Sequence, residues 1–189
     1  VSAEVARKTS EACLDSIIVA AEIISASFRA GGKLLLCGNG GSAADCQHFA
    51  TELVSIMEQK FYRPGLSAIA LTTDTSFLTA FSNDFGYERV FERQVQAHGK
   101  HGDVLIGIST SGNSVSVLRA VEAAKGLGMK TIALTGNSGR LASITDVAIA
   151  IPSSDNQQIQ EVHLIVEHSI CDLVECHLFS KAELPGGQS

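Results

Sequence analysis

Two glycine- and serine-rich segments are the features of this sequence best suited to chemistry. The first, Gly38-Asn39-Gly40-Gly41-Ser42, follows the apolar run 34–37. The second, Ser109-Thr110-Ser111-Gly112-Asn113-Ser114, follows the apolar run 104–108. A helical pattern comes directly after each segment, so backbone N–H groups at a helix start are free to meet an anion. Two such turns in one chain predict a phosphorylated small-molecule ligand.

The second turn carries hydroxyl groups on Ser109, Thr110, Ser111 and Ser114. Capping of the following helix accounts for one or two of these hydroxyls but not for four. Hydroxyls and free N–H groups together suit a phosphate monoester. We therefore expect this turn to bind phosphate.

The first turn also fits the dinucleotide-binding pattern G-x-G-x-x-A through Gly38, Gly40 and Ala43. That pattern requires an acidic residue at the end of the next strand, whereas residues 71–73 are Leu-Thr-Thr. Dinucleotide binding is therefore disfavoured. A tight turn that serves only helix–strand packing is one remaining interpretation, and a turn that contacts substrate is the one we adopt.

His48 and Glu52 lie four residues apart in the helical pattern after the first turn, so they share one helix face. They form either a surface pair or a site for a metal or a substrate. The last helical pattern carries Gln160, His163 and His168 among apolar residues, and polar groups in such a setting need partners. Spacing alone leaves open which of the two histidines is functional.

Asn83 and Asp84 fall in a polar break between two short helical patterns. They either cap the helix that follows or recognise the hydroxyl groups of a sugar.

These residues are positioned by alternating helical and apolar strand patterns. Periodicity predicts a helix over 3–30, then strands near 33–37, 66–71, 103–108, 130–135 and 146–151. Helices are predicted over 42–58, 114–126 and 156–180, with two shorter ones within 74–100. This order predicts an α/β fold with a five-stranded parallel sheet covered on both faces. Ligands of such sheets bind beyond the carboxyl ends of the strands, where both turns lie.

Length and composition predict one domain of 189 residues without an interdomain linker. Within it we expect an N-terminal oligomerisation helix (1–30), a sheet core (31–153), an active-site helix (154–180) and a tail (181–189). Only 18% of residues are charged, below the roughly 25% usual for soluble domains, so we expect apolar surface in subunit contacts. The formal net charge of −6 and the lack of a Lys/Arg run disfavour nucleic-acid binding.

Five cysteines without a C-x-x-C pair predict reduced, mostly buried thiols in a cytoplasmic protein. No apolar run approaches the roughly 18 residues that a membrane span needs, so membrane insertion is not expected.

Five motifs in this order make the chain resemble the SIS-domain (sugar isomerase) family, and within it the isomerases of sedoheptulose 7-phosphate. They are Gly38-Asn39-Gly40-Gly41-Ser42, His48-Phe49-Ala50-Thr51-Glu52, Asn83-Asp84-Phe85-Gly86, Ser109-Thr110-Ser111-Gly112-Asn113-Ser114, and Gln160-Glu161-Val162-His163 through His168. The resemblance spans about residues 7–179. It implies a flavodoxin-like α/β/α sandwich, a homotetramer with active sites at subunit interfaces, and one Zn²⁺ per subunit.

The resemblance also implies an activity: conversion of sedoheptulose 7-phosphate to D-glycero-D-manno-heptose 7-phosphate, the first step toward the nucleotide-activated heptose of bacterial surface polysaccharide. By position, Glu52 and His168 match the family's catalytic pair. The family's zinc ligands correspond to His48, Glu52, Gln160 and His168. Its substrate contacts correspond to Asn39, Gly40, Gly41, Glu52, Asn83, Asp84, Ser109, Thr110, Ser111, Ser114 and Gln160.

One departure and two alternatives accompany this resemblance. The family often carries an arginine where this chain has Ile56, and Lys60 or Arg63 is the candidate to supply that charge. Some SIS proteins of similar sequence associate with the replication initiator and lack the catalytic groups, whereas Glu52 and His168 are present here. Action on a different phosphosugar is the second alternative.

Overall fold

The computed structural model describes residues 2–57 and 62–179. The strands are β1 (Leu34–Gly38), β2 (Ala68–Ala70), β3 (Val104–Ser109), β4 (Lys130–Thr135) and β5 (Val147–Ala150). The helices are α1 (Ser2–Ala12), α2 (Leu14–Arg29), α3 (Gly41–Val54), α4 (Thr75–Phe85), α5 (Val90–His98), α6 (Val115–Gly126), α7 (Leu141–Ile144) and α8 (Asn156–Leu178). A single 3₁₀ turn, Tyr87–Arg89, joins α4 to α5.

The strands form one parallel sheet in the order β2-β1-β3-β4-β5. This is the flavodoxin-like order, and its topological switch point lies between β1 and β3, where the chain leaves in opposite directions along the sheet. Gly38 pairs in register with Ile108, so the two glycine-rich turns emerge side by side. The predicted five-stranded parallel α/β fold is confirmed.

Successive side chains of each central strand enter different cores, as the pleat requires. Leu34 and Leu36 belong to a core shared with α2, α3 and α8, whereas Leu35 and Cys37 belong to a core shared with α5 and α6. Both faces are therefore covered, which explains why β1 is apolar throughout. Cys13, Cys37, Cys46 and Cys171 are buried free thiols, as predicted, and Cys176 is exposed.

The N-terminal helix predicted over 3–30 is bent into α1 and α2. Cys13 sits at the bend with φ −117° and ψ 2°. Backbone hydrogen bonds continue through it, from Cys13 N–H to Thr9 and from Ile17 N–H to Cys13. The Cys13 thiol is buried and donates to the carbonyl of Ala150 on β5. The helix is thus kinked where a side chain attaches it to the sheet, which periodicity does not reveal.

Two other helical boundaries differ from the prediction. The helix predicted over 42–58 ends at Val54, and residues 55–57 are not helical. The break predicted at 83–86 is present but shorter than predicted, because α4 continues through Asn83 and Asp84 and ends at Phe85, and Gly86 caps it with a φ of 88° that suits glycine. The predicted tail 181–189 lies outside the described residues. Within the described part of the chain, no helix is long and apolar enough to cross a membrane.

Candidate active site

The first turn places the start of α3 at the switch point of the sheet. Gly40 has φ 58°, a conformation that other residues rarely adopt, and the helix begins directly after it at Gly41. A side chain at Gly41 would collide with the amide of Gln160, since a Cβ there would lie 2.6 Å from Nε2. The two glycines therefore let α3 begin beside β1 and let Gln160 of α8 lie against the turn.

A polar cavity of about 120 Å³ opens between the two turns. Its walls are hydroxyl and amide side chains, with one apolar residue from β3: Asn39, Ser42, Ile108, Ser109, Thr110, Ser111, Ser114 and Gln160. All four hydroxyls predicted to bind phosphate are among them, together with Asn39 and Gln160. Ser42 was not singled out from the sequence, although it lies within the first motif. We call this cavity the hydroxyl pocket.

Ser114 occupies the N-cap position of α6, but its side chain makes no capping hydrogen bond. Its Oγ instead accepts a hydrogen bond of 2.8 Å from Asn39 Nδ2. The same nitrogen donates to Ser116 at 3.0 Å, and Asn39 Oδ1 accepts from the Tyr87 hydroxyl at 2.6 Å. Ser116 and Tyr87 were not predicted as site residues, because their roles depend on contacts between segments far apart in sequence.

His48, Glu52 and His168 form a second group of polar side chains, where α3 packs on α8. Nε2 of His48 lies 2.9 Å from Nε2 of His168 and 3.9 Å from Glu52 Oε1. One ligand atom from each of the three residues lies within 4.8 Å of the others. We call this the His–Glu–His cluster. His48 and Glu52 of α3 are therefore not an isolated surface pair, because His168 of α8 lies beside them.

The cluster has a donor set that suits zinc. Zinc accepts imidazole nitrogen and carboxylate oxygen, and tetrahedral ligands at about 2.0–2.2 Å lie roughly 3.4 Å apart, close to the spacings here. The predicted fourth ligand, Gln160, faces the hydroxyl pocket and Gly41. Eight residues of helix, about 12 Å of rise, separate Gln160 from His168. Its role as a ligand stays a prediction.

The structure resolves the choice between the two histidines of α8. His163 is fully buried, and its Nε2 lies 3.4 Å from the carbonyl oxygen of Thr135. Desolvation lowers the pKa of His163 to about 4, so this imidazole is neutral at physiological pH. His168 instead faces His48 at the exposed edge of the helix pair. His163 is therefore part of the core, and His168 is the histidine available to the site.

Two buried carboxyl groups belong to the same helices as the cluster: Asp45, three residues before His48 on α3, and Glu167, directly before His168 on α8. Burial raises the pKa of Glu167 to about 9, with a further contribution from Asp45. Burial also raises the pKa of Asp45 to about 6. Neither oxygen of the Glu167 carboxyl has a hydrogen-bond partner among the described residues. Glu167 is thus protonated at pH 7 and adds no charge beside His168.

Asn83 and Asp84 do not line the hydroxyl pocket of their own chain. They are exposed in the last turn of α4, where Asn83 Nδ2 donates to Asp84 Oδ1 at 2.9 Å. The capping interpretation is wrong, because Gly86 occupies the N-cap of the following 3₁₀ turn. Their assignment as sugar contacts remains a prediction.

Arg63 connects α3 and α8, the two helices that carry the cluster, through hydrogen bonds to both. Its side chain is fully buried, and Nε donates to Glu175 Oε1 at 2.7 Å. Its other nitrogens donate to the carbonyls of Glu52 and Leu53 at the end of α3. The guanidinium therefore satisfies the free carbonyls of that helix end. It does not supply the charge missing at Ile56, and Lys60 lies outside the described residues.

Comparison with known proteins places this architecture in a family. The SIS-domain family profile matches residues 1–136. The phosphoheptose isomerase of Roseiflexus sp. (strain RS-1) is 54% identical over 181 residues, covering 95% of this chain and 91% of the relative. That of Rhodospirillum rubrum is 50% identical over 170 residues, covering 89% of each chain.

Solved structures agree with these sequence matches. The phosphoheptose isomerase from Neisseria gonorrhoeae superposes with a TM-score of 0.87 at 43% identity, and that from Francisella tularensis with 0.88 at 40% identity. Each comparison covers 93% of both chains. The chain therefore belongs to the SIS-domain family and, within it, to the phosphoheptose isomerases, which are aldose–ketose isomerase enzymes.

Proposed function

We propose that the protein isomerises sedoheptulose 7-phosphate to D-glycero-D-manno-heptose 7-phosphate, at the start of nucleotide-activated heptose synthesis in the cytoplasm. The observation that carries the proposal is the meeting of Glu52 and His168, from α3 and α8, in one polar cluster. Both helices start at the hydroxyl pocket, so one substrate can contact the pocket and the cluster together.

The spacing between these two sites suits a long substrate. His48 lies seven residues after Gly41, about 10 Å along α3, and His168 lies eight residues after the pocket residue Gln160, about 12 Å along α8. An open-chain seven-carbon sugar with phosphate on C7 has its reacting C1–C2 end this far from the phosphate. The pocket would hold the phosphate through the hydroxyls of Ser109, Thr110, Ser111 and Ser114.

Ketose-to-aldose isomerisation moves one proton from C1 to C2. In this proposal the Glu52 carboxylate takes the proton from C1, and the His168 imidazole gives a proton to the carbonyl oxygen on C2. The resulting enediol then receives the first proton at C2 from Glu52, while His168 recovers a proton from the hydroxyl on C1. The net change is a shift of hydrogen with no oxidant or co-reactant.

Zinc held by His48, Glu52 and His168, with Gln160 as the fourth predicted ligand, would stabilise negative charge that develops on the substrate oxygens. Glu52 cannot be at once a tight ligand and a free base. We therefore expect zinc to be held loosely, or its coordination to change when substrate binds. A stoichiometric, tight zinc site with Glu52 bound throughout turnover would contradict this expectation.

The proposal includes a homotetramer whose subunits share active sites. Helix α4 supports it: Phe77 and Phe81 pack partly against the core of their own chain, and Phe85 stacks on Phe81 beyond them towards solvent. Phe85 is 58% exposed in the single chain. An apolar helix face of this kind is typical of a subunit contact. The same helix carries Asn83 and Asp84, which a contact through α4 would bring to a neighbouring subunit.

The deciding experiment is turnover of sedoheptulose 7-phosphate by wild type, Glu52→Gln and His168→Gln, each with and without added zinc. We expect the aldoheptose phosphate from wild type only, with unchanged folding of both variants. The matched controls are Glu161→Gln on the exposed side of α8 and His101→Gln, both exposed. A folded wild type that binds sugar phosphate but forms no product would contradict the proposal, and a panel of other ketose phosphates tests substrate choice.

A further inference from the structure

A chain of three hydrogen bonds connects the 3₁₀ turn after α4 to both glycine-rich turns. The Tyr87 hydroxyl donates to Asn39 Oδ1 at 2.6 Å, and Asn39 Nδ2 donates to Ser114 Oγ at 2.8 Å and to Ser116 Oγ at 3.0 Å. Asn39 and Ser114 line the hydroxyl pocket, whereas Tyr87 does not. Tyr87 therefore influences the pocket only through Asn39.

Each bond in this chain has a defined direction. Partial burial raises the pKa of the Tyr87 phenol, so at neutral pH it carries the proton that it donates. The contact of 2.6 Å between the Tyr87 hydroxyl and Asn39 Oδ1 has the length of an O–H···O bond and is shorter than a usual N–H···O bond. With the amide oxygen of Asn39 towards Tyr87, the amide nitrogen faces the two serines. A hydroxyl has one hydrogen to donate and two lone pairs to accept with. Ser114 accepts from Asn39, and its own hydrogen has no acceptor among the described residues.

The free hydrogen of Ser114 is available to an anion in the pocket. The Ser114 side chain makes no capping hydrogen bond to α6, although the residue occupies the N-cap position. If the Asn39 amide turned by 180°, its oxygen would face Ser114, and the Ser114 hydroxyl would donate to Asn39. The pocket would then present a lone pair in place of a donor, which disfavours a phosphate.

We propose that Tyr87 is a positioning residue for phosphate binding: it fixes the orientation of the Asn39 amide and so keeps Ser114 as a donor to the substrate phosphate. This inference rests on the proposed role of the hydroxyl pocket. Tyr87 follows Asn83 and Asp84 closely in sequence. Its hydrogen bond to Asn39 therefore also connects the end of α4 to the first glycine-rich turn.

Removal of the Tyr87 hydroxyl is expected to leave the fold intact. The residue is 50% exposed, and its ring meets Phe91 edge-on with centroids 6.3 Å apart. Phenylalanine retains this ring contact and loses only the hydrogen bond to Asn39. The chain contains two tyrosines, and Tyr62 is 75% exposed with no hydrogen bond from its hydroxyl among the described residues. Tyr62→Phe is thus the matched control for Tyr87→Phe.

The test measures steady-state kinetics and competitive inhibition by inorganic phosphate for wild type, Tyr87→Phe and Tyr62→Phe. We expect Tyr87→Phe to raise KM and the inhibition constant of phosphate together, by about 3- to 10-fold, the effect of one lost hydrogen bond. The value of kcat and the melting temperature stay at wild-type values, because phosphate is bound equally in the ground and transition states. Tyr62→Phe behaves as wild type.

A second arm separates positioning through Asn39 from any other effect of Tyr87. In an Asn39→Ala background, Tyr87→Phe should cause no further change in phosphate inhibition. Independent effects of the two substitutions, or equal behaviour of Tyr87→Phe and Tyr62→Phe, would overturn the inference while the isomerase proposal stands. A wild type that turns over the sugar but is not inhibited by phosphate would overturn the pocket assignment and the inference together.

Discussion

One buried histidine, His163, should contribute less to the stability of the folded protein as the pH falls. Its pKa is lowered from 6.5 to about 4 by burial in the folded chain. An unfolded chain binds a proton at this residue below pH 6.5, while the folded chain does not until about pH 4. At this residue the unfolded state thus binds more protons in this interval, so the contribution of His163 to the free energy of unfolding falls as the pH falls through it. Burial raises the pKa of Glu167 and of Asp45, so these two carboxyl groups act in the opposite direction.

The size of the effect follows from the two pKa values. Each unit of difference is worth about 1.4 kcal/mol. Between pH 7 and pH 5 the unfolded state gains most of one proton, so the loss of stability from His163 is about 2 kcal/mol. Below about pH 4 both states are protonated, and the contribution levels off.

His163→Leu isolates this contribution. Leucine fills a similar volume, cannot titrate, and leaves no acceptor without a partner, because the Thr135 carbonyl still accepts from Ile151 N–H at 2.9 Å. It also removes the buried Nδ1, which has no partner among the described residues. We expect the variant to equal or exceed wild type in stability at pH 7 and to gain a further 2 kcal/mol or so over wild type at pH 5.

Urea unfolding of both proteins at pH 7, 6 and 5, at one protein concentration and without metal, measures this difference. The difference between the two curves isolates His163, since the contributions of carboxyl groups shared by both proteins cancel. A difference in unfolding free energy that stays constant from pH 7 to pH 5 would contradict the assignment to His163. His101→Leu, at an exposed site, is the control and should show no such trend.

Three further predictions address the supports of the site. Arg63→Met should lower the unfolding free energy by about 3–5 kcal/mol in urea titrations, since it leaves Glu175 buried without its cation. Adding Glu175→Leu should recover much of this loss. No recovery would show that the hydrogen bonds from Arg63 to backbone carbonyls stabilise the protein more than the ion pair does. Gly41→Ala should displace the Gln160 amide and raise KM about tenfold with little change in melting temperature; an unchanged KM would show that the pocket tolerates the displacement. Phe85→Ser should reduce the mass of the assembly in light scattering, whereas Val115→Ser, equally exposed, should not; an unchanged mass would exclude α4 from the contact.

The parts of the fold that were predictable are those set by short-range patterns. Apolar runs followed by glycine-rich turns placed β1 and β3 within one residue of their observed bounds. The parallel topology then required both turns to emerge at one edge of the sheet. The grouping of Asn39 with Ser109, Thr110, Ser111 and Ser114 follows from that edge alone, so the hydroxyl pocket was accessible from the sequence.

Other parts depended on how helices pack, which a single sequence does not show. His163 and His168 both lie on α8, and only the position of α3 beside α8 distinguishes a core histidine from one that meets His48. Asn83 and Asp84 looked like a break because polar residues are common in turns. Both residues are helical, and α4 ends only after Phe85, where Gly86 caps it.

Among the described residues, the cation nearest in sequence to the His–Glu–His cluster is Arg63, and it is not available to the anionic substrate that we propose for the hydroxyl pocket. Its charge is buried against Glu175 and the carbonyls at the end of α3, and no Lys or Arg lines the hydroxyl pocket within the described part of the chain. The chain as a whole carries a formal charge of −6, so its overall field does not attract a phosphate. In the function that we propose, the donors that these residues offer to the phosphate are neutral: helix N–H groups and serine hydroxyls. Because neutral donors depend on orientation far more than a charge does, the hydrogen bonds that orient Asn39 and Ser114 become as important to the site as the hydroxyls themselves.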